Sequence, residues 1–463
     1  MKNICILGSG LVSSSVINCF YNDKTAEYSI VVGSKLSNEL TSLQQKYPSI
    51  KTVHLNVTSV SDEEQLNRMI TESDIVVSLL TNEMHVPIAK KCIEFCVNMV
   101  HASYCTKEMM ELDAQAKQNG VTILNEIGLD PGIDHFLAKK AIDEIHAESG
   151  SKVTAFISYC GGLPEPKLSS SNSLRYKFSW SPKTALGNML NTAKYLERNK
   201  AFEIPAGGEL IDAITDMEFL TEFELEGYPN RDSLIYKDLY GMHEATDIIR
   251  GTLRYRGFGK VVKTLHKLQL LSSKSIKDIY DEDHSIPKSW SDLIVKVVQN
   301  ADILDLYRKG EPITQVLLHC GFNMDEVNAL NNLGLLCREP ELSLKDTLID
   351  TLAEHLATKL RFENDERDIV ILRHEIRSKK VNGDQEIREI EFVGYGEQDK
   401  GGFSVMSKTV GLAIGHAVKL LLNGNIQQTG VIYPFSPDIY EPILQQLEME
   451  GLTFKETKTI IHA

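Results

Sequence analysis

The sequence predicts an α/β protein whose first domain is built on a doubly wound parallel sheet. The chain opens with a strand-like run from Lys2 to Leu7, which leads directly into a Gly8-Ser9-Gly10 turn. Strand-like and helix-like segments then alternate over the first 128 residues. Longer strand-like and then helical segments follow. These patterns predict a Rossmann-type sheet plus a mixed α+β substrate domain with a helical insertion.

The glycine turn after the first strand is a candidate phosphate-binding site. Gly8 allows a tight turn, and Gly10 allows the backbone to approach a pyrophosphate closely. Ser13 stands where the third glycine of this motif usually stands, which is a mild departure. The alternative is a glycine-rich turn without a ligand. If the turn binds a nucleotide through the start of the next helix, we expect contacts from Gly8, Ser9, Gly10, Leu11 and Val12.

The end of the second predicted strand bears on the choice of nucleotide. This strand runs from Glu27 to Lys35, and no acidic residue stands where one would bind the ribose 2′-hydroxyl of NAD. Ser34 and Lys35, which follow Gly33, are able to hold a 2′-phosphate by a hydroxyl hydrogen bond and by charge. The sequence therefore favours NADP. The alternative is NAD binding with Lys35 in solvent.

The remaining units of the first domain predict where the ligand lies. Strands are predicted at 51–57, 74–80, 98–104 and 121–126, and helices at 62–71, 86–96 and 108–119. In a doubly wound sheet, ligands bind beyond the carboxyl ends of the strands. We therefore predict that the residues at these ends face one crevice, among them Leu80, Ser103, Tyr104, Leu129 and Asp130.

The composition is typical of a large enzyme with two or three domains. At 463 residues the chain is too long for a single core, and its hydrophobic content of 42% is ordinary for a globular protein. The net charge of −15 argues against nucleic acid or an anionic membrane as a partner. The apolar run from Val410 to Leu422 is broken by His416 and Lys419, so we interpret it as a core helix.

The eight cysteines bear on metal binding and location. They lack CxxC spacing, and several, such as Cys5 and Cys92, lie inside apolar runs. We therefore expect reduced thiols, no metal site and a cytoplasmic protein. Met1 leads directly into a strand, so no signal peptide is expected.

The pattern changes after Asp134. Lys152 to Cys160 is predicted as a strand, and Gly161 to Pro166 as a rigid turn. Asn382-Gly383 predicts a hairpin between residues 368–377 and 388–396. Helices are predicted at 290–298, 313–319, 324–333, 344–360 and 405–422, and a short strand at 431–433. The predicted units are a dinucleotide-binding domain (1–128 with 396–463), a substrate and dimerisation domain (129–256 with 361–395) and a helical subdomain (257–360).

Five ordered segments resemble one enzyme family. They are Glu126 to His135, Ile157 to Pro164, Leu174 to Ser181, Tyr228 to Ser233 and Arg250 to Tyr255. These segments are similar to the glutamate-forming saccharopine dehydrogenases, and the resemblance covers the whole chain. The chain resembles the second half of the animal bifunctional enzyme of lysine degradation, and almost equally the fungal NADP-dependent members. Ser34 replaces the Arg of the fungal pattern and Lys35 the Asp of the animal pattern, so neither cofactor preference transfers directly.

The resemblance implies saccharopine as the substrate. Its secondary amine is oxidised to an imine, which water opens to glutamate and 2-aminoadipate 6-semialdehyde, or the reverse. The carboxylates of this substrate require cations, for which Arg231 and Arg254 are predicted; the alternatives are a surface and a strand-edge arginine. Asp130 is predicted to be the acid–base group, and its alternative role is a helix N-cap.

Other roles are implied by the same resemblance. Tyr104 and Cys160 are expected to orient the reacting centre, although Cys160 has a buried thiol as its alternative. Tyr176 and Lys177 are expected to close over the nicotinamide or its ribose, and His135 to be structural. A homodimer is expected. Further substrate contacts are predicted for Ser103, Tyr104, Thr252 and Leu253.

Two other functions remain as alternatives. One is a related NAD(P)-dependent amine dehydrogenase or synthase of the carboxynorspermidine type, which the loss of Arg231 and Arg254 would have favoured. The other is a catalytically silent nucleotide-binding regulator, which a degraded glycine turn or a missing Asp130 would have favoured. The sequence retains all of these features.

Overall fold

Two β-sheets organise the chain in the computed structural model. The structure describes residues 1–279, 286–298, 307, 310–339, 342–398 and 401–463. One sheet is parallel and carries the glycine turn, and the other is mixed and packs against a group of helices. The predicted fold class is therefore confirmed.

Seven parallel strands form the first sheet: β1 (Lys2–Leu7), β2 (Tyr28–Ser34), β3 (Lys51–His54), β4 (Ile75–Ser78), β5 (Asn98–His101), β6 (Thr122–Leu124) and β15 (Gly430–Ile432). Their spatial order is β15-β6-β5-β4-β1-β2-β3. The order reverses at β1, which lies between β2 and β4. Such a reversal opens a crevice beyond the carboxyl ends of the strands, and this crevice is the ligand-binding position in doubly wound sheets.

Six helices connect the first six strands: α1 (Ser13–Tyr21), α2 (Ser37–Lys46), α3 (Glu63–Thr71), α4 (Asn82–Glu94), α5 (Lys107–Met110) and α6 (Asp113–Gln118). α2 was not predicted, because only Leu40 and Leu43 of this helix are buried and its apolar stripe is narrow. The single helix predicted at 108–119 is divided into α5 and α6.

The segment after residue 404 returns to the parallel sheet. Its first helix, α16 (Val405–Leu422), packs on α1. Small residues allow this close contact, since a Cβ on Gly411 would lie 2.0 Å from Ser15 Oγ and one on Gly415 would lie 2.7 Å from Cys19 Cβ. By length and composition α16 is able to cross a membrane, but 67% of it is buried inside the protein. We therefore interpret it as a core helix. The next helix, α17 (Pro437–Met449), packs on α16.

Nine strands form the second sheet: β7 (Lys152–Pro164), β8 (Ala193–Glu197), β9 (Lys200–Ile204), β10 (Thr215–Asp216), β11 (Leu225–Pro229), β12 (Asp247–Tyr255), β13 (Asp368–Lys379), β14 (Gln385–Tyr395) and β16 (Lys455–Ile461). The main order is β10-β11-β12-β7-β13-β14-β16, and β8 pairs with β12 and β9. β7 and β12 are parallel, while β13 pairs antiparallel with both β7 and β14. The predicted hairpin at Asn382-Gly383 is confirmed.

Two elements of the second sheet differ from the sequence prediction. The rigid turn predicted at 161–166 is wrong for its first four residues, because Gly161 to Pro164 continue β7. Gly161 is needed for close packing, since a Cβ there would lie 2.8 Å from Leu253 Cβ. The last strand, β16, pairs with β14. Residues 455–461 therefore lie outside the parallel sheet to which the predicted unit 396–463 assigned them.

Nine described helices accompany the second sheet: α7 (Ile133–Ala147), α8 (Pro182–Gly187), α9 (Glu209–Asp212), α10 (Tyr236–Leu239), α11 (Phe258–Lys267), α12 (Trp290–Val298), α13 (Ile313–His319), α14 (Met324–Asn332) and α15 (Leu348–Lys359). The helices predicted at 290–298, 313–319, 324–333 and 344–360 correspond to α12 to α15. Parts of the predicted helical range 257–360, namely 280–285, 299–306, 308–309 and 340–341, lie outside the described residues.

The second sheet is covered on both faces. Successive residues of β13 contact different cores, because side chains alternate along a strand. Ile369 belongs to the core formed with the helices from α11 to α15, whereas Val370 belongs to the core formed with α7, α16 and α17. The sheet therefore connects the helical group to the parallel-sheet domain.

Candidate functional site

The glycine turn has the shape that a pyrophosphate requires. Gly8 has a φ of +110°, and a Cβ there would lie 2.9 Å from the Leu79 carbonyl oxygen. A Cβ on Gly10 would meet no atom within 4 Å, so the space beside this residue is open. The N–H groups of Leu11 and Val12 have no acceptor within the described residues. These free donors and the open space fit the phosphates of a dinucleotide.

Ser13 stands in place of the third glycine of the motif, and it closes the turn with its own hydrogen bonds. Its hydroxyl donates to the Gly10 carbonyl oxygen at 2.7 Å, and its backbone N–H donates to the same oxygen at 3.0 Å. Ser13 is almost fully buried at the start of α1. These two hydrogen bonds close the turn on its inner side, and the side that would face a phosphate stays open.

An acidic side chain lies beside the predicted ribose position after all. Ser9 Oγ is 2.7 Å from Ser34 Oγ and 2.6 Å from Glu39 Oε2. Glu39 lies in the first turn of α2, five residues after Ser34, and was not among the predicted site residues. Lys35 is exposed. Gly33 faces inwards, since a Cβ there would lie 2.9 Å from Met69 Cε, so any cofactor contact of Gly33 involves its backbone.

Asp130 is part of a buried cluster beyond the end of β6. The Tyr104 hydroxyl donates to Asp130 Oδ1 at 2.7 Å, and Arg250 Nη2 donates to the same oxygen at 2.6 Å. Arg250 also forms an ion pair with Asp134 and donates to the Tyr236 hydroxyl at 2.5 Å. Arg250 was not among the predicted site residues, although it is the cation that holds both carboxylates.

The N-cap alternative for Asp130 is wrong. α7 begins at Ile133 with Gly132 as its N-cap residue. Asp134 instead accepts a hydrogen bond from the Gly132 N–H at 2.7 Å. The Asp130 carboxylate is therefore committed to Tyr104 and Arg250, and 17% of its side-chain surface is exposed. A partly accessible carboxylate in this position is able to contact a ligand.

Burial keeps the neighbouring hydroxyl and thiol protonated. Burial raises the pKa of Tyr104, and the positive charge of Arg250 opposes this rise only in part. Burial also raises the pKa of Cys160, and the negative charges of Asp130 and Asp134 raise it further. Both groups therefore stay neutral and do not act as bases, and Tyr104 donates its hydroxyl proton to Asp130.

Two further arginines lie near this cluster. The Arg231 guanidinium is 4.4 Å from the centre of the Tyr104 ring. Arg254 is 2% exposed, and its guanidinium lies over the Tyr176 ring at 5.0 Å. Arg254 donates to the Leu253 carbonyl oxygen, but its Nε has no partner and no described carboxylate pairs with it. Glu226 acts on Arg254 only at longer range, so the guanidinium retains donors that are suited to bind an anionic ligand.

The remaining predicted site residues differ in how deeply their side chains are buried. Thr252 is half-buried on β12, next to Cys160 on β7. Leu253 and Tyr176 are fully buried in the core with the helices, and Leu129 is buried in the other core. For Leu253 and Leu129 this leaves only the backbone for a ligand contact. Leu80 is half-buried.

Lys177 has its charge engaged within the protein. Its ammonium donates to Glu366 Oε2 at 2.6 Å and to the Arg361 carbonyl oxygen at 3.1 Å. The Tyr176 hydroxyl accepts a hydrogen bond from Trp180 at 2.9 Å. These hydrogen bonds engage Tyr176 and Lys177 within the protein, so they do not support the cofactor contacts expected of the two residues.

His135, expected to be structural, is fully buried. Its Nε2 is 2.7 Å from Glu126 Oε2, and its Nδ1 is 2.5 Å from the Tyr240 hydroxyl.

A pair of stacked histidines supports Ser103, and neither was among the predicted site residues. The rings of His85 and His101 are 4.3 Å apart and nearly parallel. His85 Nε2 is 2.9 Å from Ser103 Oγ, and its Nδ1 is 2.9 Å from Ser78 Oγ. His101 Nε2 is 2.7 Å from Asn125 Oδ1. These contacts position Ser103 at the carboxyl end of β5. His101, as the last residue of β5, carried a usable signal in the sequence, whereas His85 lies within α4 and carried none.

We expect the histidine pair to make stability depend on pH. Burial lowers the pKa of His85 to about 4 and that of His101 to about 3. An unfolded histidine titrates near 6.5, so between pH 7 and 5 the unfolded state binds protons that the folded state does not. The free energy of unfolding should therefore fall as the pH falls through this window. Urea unfolding at several pH values measures this change in the free energy of unfolding.

The matched comparison is between His85→Asn and His146→Asn. The first should make the dependence of unfolding free energy on pH less steep, while His101, His374 and His416, whose pKa values burial also lowers, keep part of it. The second, at an exposed position of α7, should leave it unchanged. Equal slopes for the wild type and His85→Asn would contradict the prediction.

Two family models match the chain. The model described as "Saccharopine dehydrogenase NADP binding domain" matches residues 4–124. The model described as "Saccharopine dehydrogenase C-terminal domain" matches residues 128–452. Their order and extent agree with the parallel sheet and with most of the remaining chain.

Relatives and a solved structure agree with these matches. The alpha-aminoadipic semialdehyde synthase of Bos taurus is 38% identical over 99% of this chain, which covers 48% of that protein. The chain thus spans about half the length of the animal relatives. The NADP(+)-dependent, L-glutamate-forming saccharopine dehydrogenase of Saccharomyces cerevisiae is 34% identical, with 99% of both chains covered.

The solved structure is that of the apo, histidine-tagged, L-Glu-forming saccharopine dehydrogenase from Saccharomyces cerevisiae. It has a TM-score of 0.83 and 32% identity, and the match covers 99% of this chain and 100% of that chain. The resemblance carried by the five sequence segments is therefore confirmed. The chain belongs to the saccharopine dehydrogenase family.

Proposed function

We propose that this protein interconverts saccharopine with L-glutamate and L-2-aminoadipate 6-semialdehyde in lysine metabolism, with NADP as the hydride carrier. The observation that carries the proposal is the Asp130 cluster, in which a partly exposed carboxylate beyond the parallel strands is held by Tyr104 and Arg250. Relatives of similar sequence over the whole chain bear the names of this enzyme.

The arginines account for recognition of the substrate. Saccharopine presents several carboxylates to the site, and guanidinium groups bind carboxylates through two parallel hydrogen bonds. Arg254 is buried and lacks an acidic partner among the described residues, so a substrate carboxylate would satisfy its charge. Arg231 is half-buried, with its guanidinium over the Tyr104 ring. Ser103 and Thr252 are polar side chains suited to further contacts.

Asp130 is suited to move the protons of the reaction. The bound nicotinamide supplies the hydride acceptor. When the carbon next to the secondary amine loses its hydride, the nitrogen must lose a proton, and Asp130 accepts it as a general base. Water then adds to the imine carbon, and the C–N bond breaks so that the amine leaves with glutamate. Tyr104, kept protonated by burial, donates to Asp130 and orients its carboxylate, and the neutral Cys160 thiol lines the same part of the site.

The turn around Gly10 and the first turn of α1 would hold the dinucleotide. The free N–H groups of Leu11 and Val12 would face its phosphates, while Ser9, Ser34 and Lys35 lie at the ribose position. Ser103 and the backbones at Leu80 and Leu129 lie at the ends of neighbouring strands, where the nicotinamide would reach the substrate. The family match names NADP, and Lys35 provides a cation for its 2′-phosphate.

The domain division and the setting of the enzyme are also proposals. We propose that residues 1–128 with 396–463 form the cofactor domain, and that 129–256 with 361–395 form the substrate and dimerisation domain. Residues 257–360 would form a helical subdomain, and β16 is attached to the second sheet.

The eight free thiols agree with a cytoplasmic protein. The family resemblance agrees with a homodimer.

The decisive test is an activity assay on the purified chain. We expect reduction of NADP⁺, followed at 340 nm, when saccharopine is present, because the site combines a hydride acceptor position with a base for the amine. Lysine and glutamate, each supplied alone, are the controls and should give no reduction. Equal activity with lysine, or none with any of the three amines, would overturn the proposal.

A further inference from the structure

A carboxylate lies at the end of the proposed cofactor site where the adenosine ribose would bind, although NADP carries a negatively charged 2′-phosphate on that ribose. The Ser9 hydroxyl donates to Glu39 Oε2 at 2.6 Å and hydrogen bonds to Ser34 Oγ at 2.7 Å. The Leu36 N–H donates to the same Ser34 oxygen at 3.2 Å, which directs the Ser34 hydroxyl towards the glycine turn. Glu39 is therefore held against the turn by the Ser9 hydroxyl, which Ser34 in turn positions.

This carboxylate lies where a dinucleotide places its adenosine ribose. Ser34 is the last residue of β2, and the Gly8 N–H donates to the Gly33 carbonyl oxygen at 2.8 Å, so the strand end touches the turn. In Rossmann domains an acidic residue near the end of this strand binds the ribose 2′-hydroxyl and discriminates against a 2′-phosphate. Here the acid reaches the same position from the following helix.

The charge of Glu39 is not neutralised within the described protein. Glu39 is half-buried and has hydrogen-bonding contact with Ser9 alone. Lys35, the nearest cation in sequence, is exposed and pairs with no described acid. A 2′-phosphate entering this site therefore meets one unpaired anion and one unpaired cation.

We propose that Glu39 determines the cofactor preference of this enzyme by accepting the ribose 2′-hydroxyl and repelling the 2′-phosphate, while Lys35 attracts that phosphate. The proposal rests on the dinucleotide site of the proposed function and makes it more specific. Because the two charges oppose each other, the protein uses both NADP and NAD, and the ratio between them follows the charge at these two positions.

The test compares Glu39→Gln with Lys35→Asp. The first variant keeps the shape and the hydrogen bond to Ser9 but removes the negative charge, so it should raise the NADP/NAD ratio of kcat/KM about tenfold. The second removes the cation and adds an anion, so it should lower that ratio about ten- to a hundredfold. Dissociation constants for NADP⁺ and NAD⁺, measured by titration calorimetry on the full chain, should change in the same directions.

Glu64→Gln is the matched control. It removes the same charge from an exposed position on α3, and it should leave the ratio within about twofold of the wild type. High salt should reduce the effect of Glu39→Gln, because the effect is electrostatic. An unchanged ratio in Glu39→Gln, or an equal loss of affinity for both nucleotides, would overturn the role of Glu39 while leaving the proposed function intact. Failure of the wild type to bind either nucleotide would overturn both.

Discussion

Asp130→Asn should lower kcat/KM for saccharopine oxidation by about 10²–10⁴-fold. Asparagine has nearly the same shape, and its amide oxygen is still able to accept from Tyr104 and Arg250 at the positions seen for Asp130 Oδ1. It cannot take a proton from the substrate amine. The loss should therefore appear in the chemical step, and single-turnover reduction of the nicotinamide measures it directly.

The division of the effect between kcat and KM separates loss of a base from loss of shape. If Asp130 is the base, Asp130→Asn should lower kcat while the KM for saccharopine changes little, because the substrate still binds. Asp143→Asn is the matched control, because Asp143 is on α7 but contacts Lys139 and Tyr440 instead of the cluster. It should retain activity within about twofold. A loss smaller than tenfold in Asp130→Asn would show that another group takes the proton.

The strands of the first domain were predictable because their sequences carry a simple signal. β1, β2 and β4 are short apolar runs bounded by polar or glycine residues, and burial on both faces makes such runs nearly continuous. α2 lacked this signal, since just two of its side chains are buried. Gly161 and Gly162 were misinterpreted as a turn because local sequence does not reveal when a neighbouring strand requires a glycine.

The site residues that follow parallel strands could be predicted from the sequence. Asp130 and Tyr104 follow parallel strands, and the structure brings them within hydrogen-bond distance. Glu39 could not be found by the same rule, because its contact with Ser9 depends on the path of α2 after β2. Arg250 had a usable signal. An arginine inside a strand flanked by Ile248, Ile249 and Gly251 is expected to be buried, and a buried arginine requires acidic partners.

Arg250→Met should lower the free energy of unfolding by about 3–5 kcal/mol. Arg250 is 5% exposed and pairs with the carboxylates of Asp130 and Asp134. Methionine fills part of the same space but leaves two neighbouring carboxylates without a cation, and the Tyr236 hydroxyl loses its donor. Urea unfolding followed by circular dichroism measures the change, provided that the slope of the transition is the same in both proteins.

Arg254→Met is the control that distinguishes lost ion pairs from lost volume. Arg254 lies on the same strand, is equally buried and carries the same side chain, but no described carboxylate pairs with it. The Glu226 carboxylate, which accepts from the Gly257 and Gly259 N–H groups, acts on Arg254 only at longer range, so the free energy of unfolding should fall by less than in Arg250→Met. Substrate affinity should instead decrease, as an increase in KM for saccharopine. Equal destabilisation by the two substitutions would mean that packing, and not the pairing of Arg250 with Asp130 and Asp134, stabilises this part of the site.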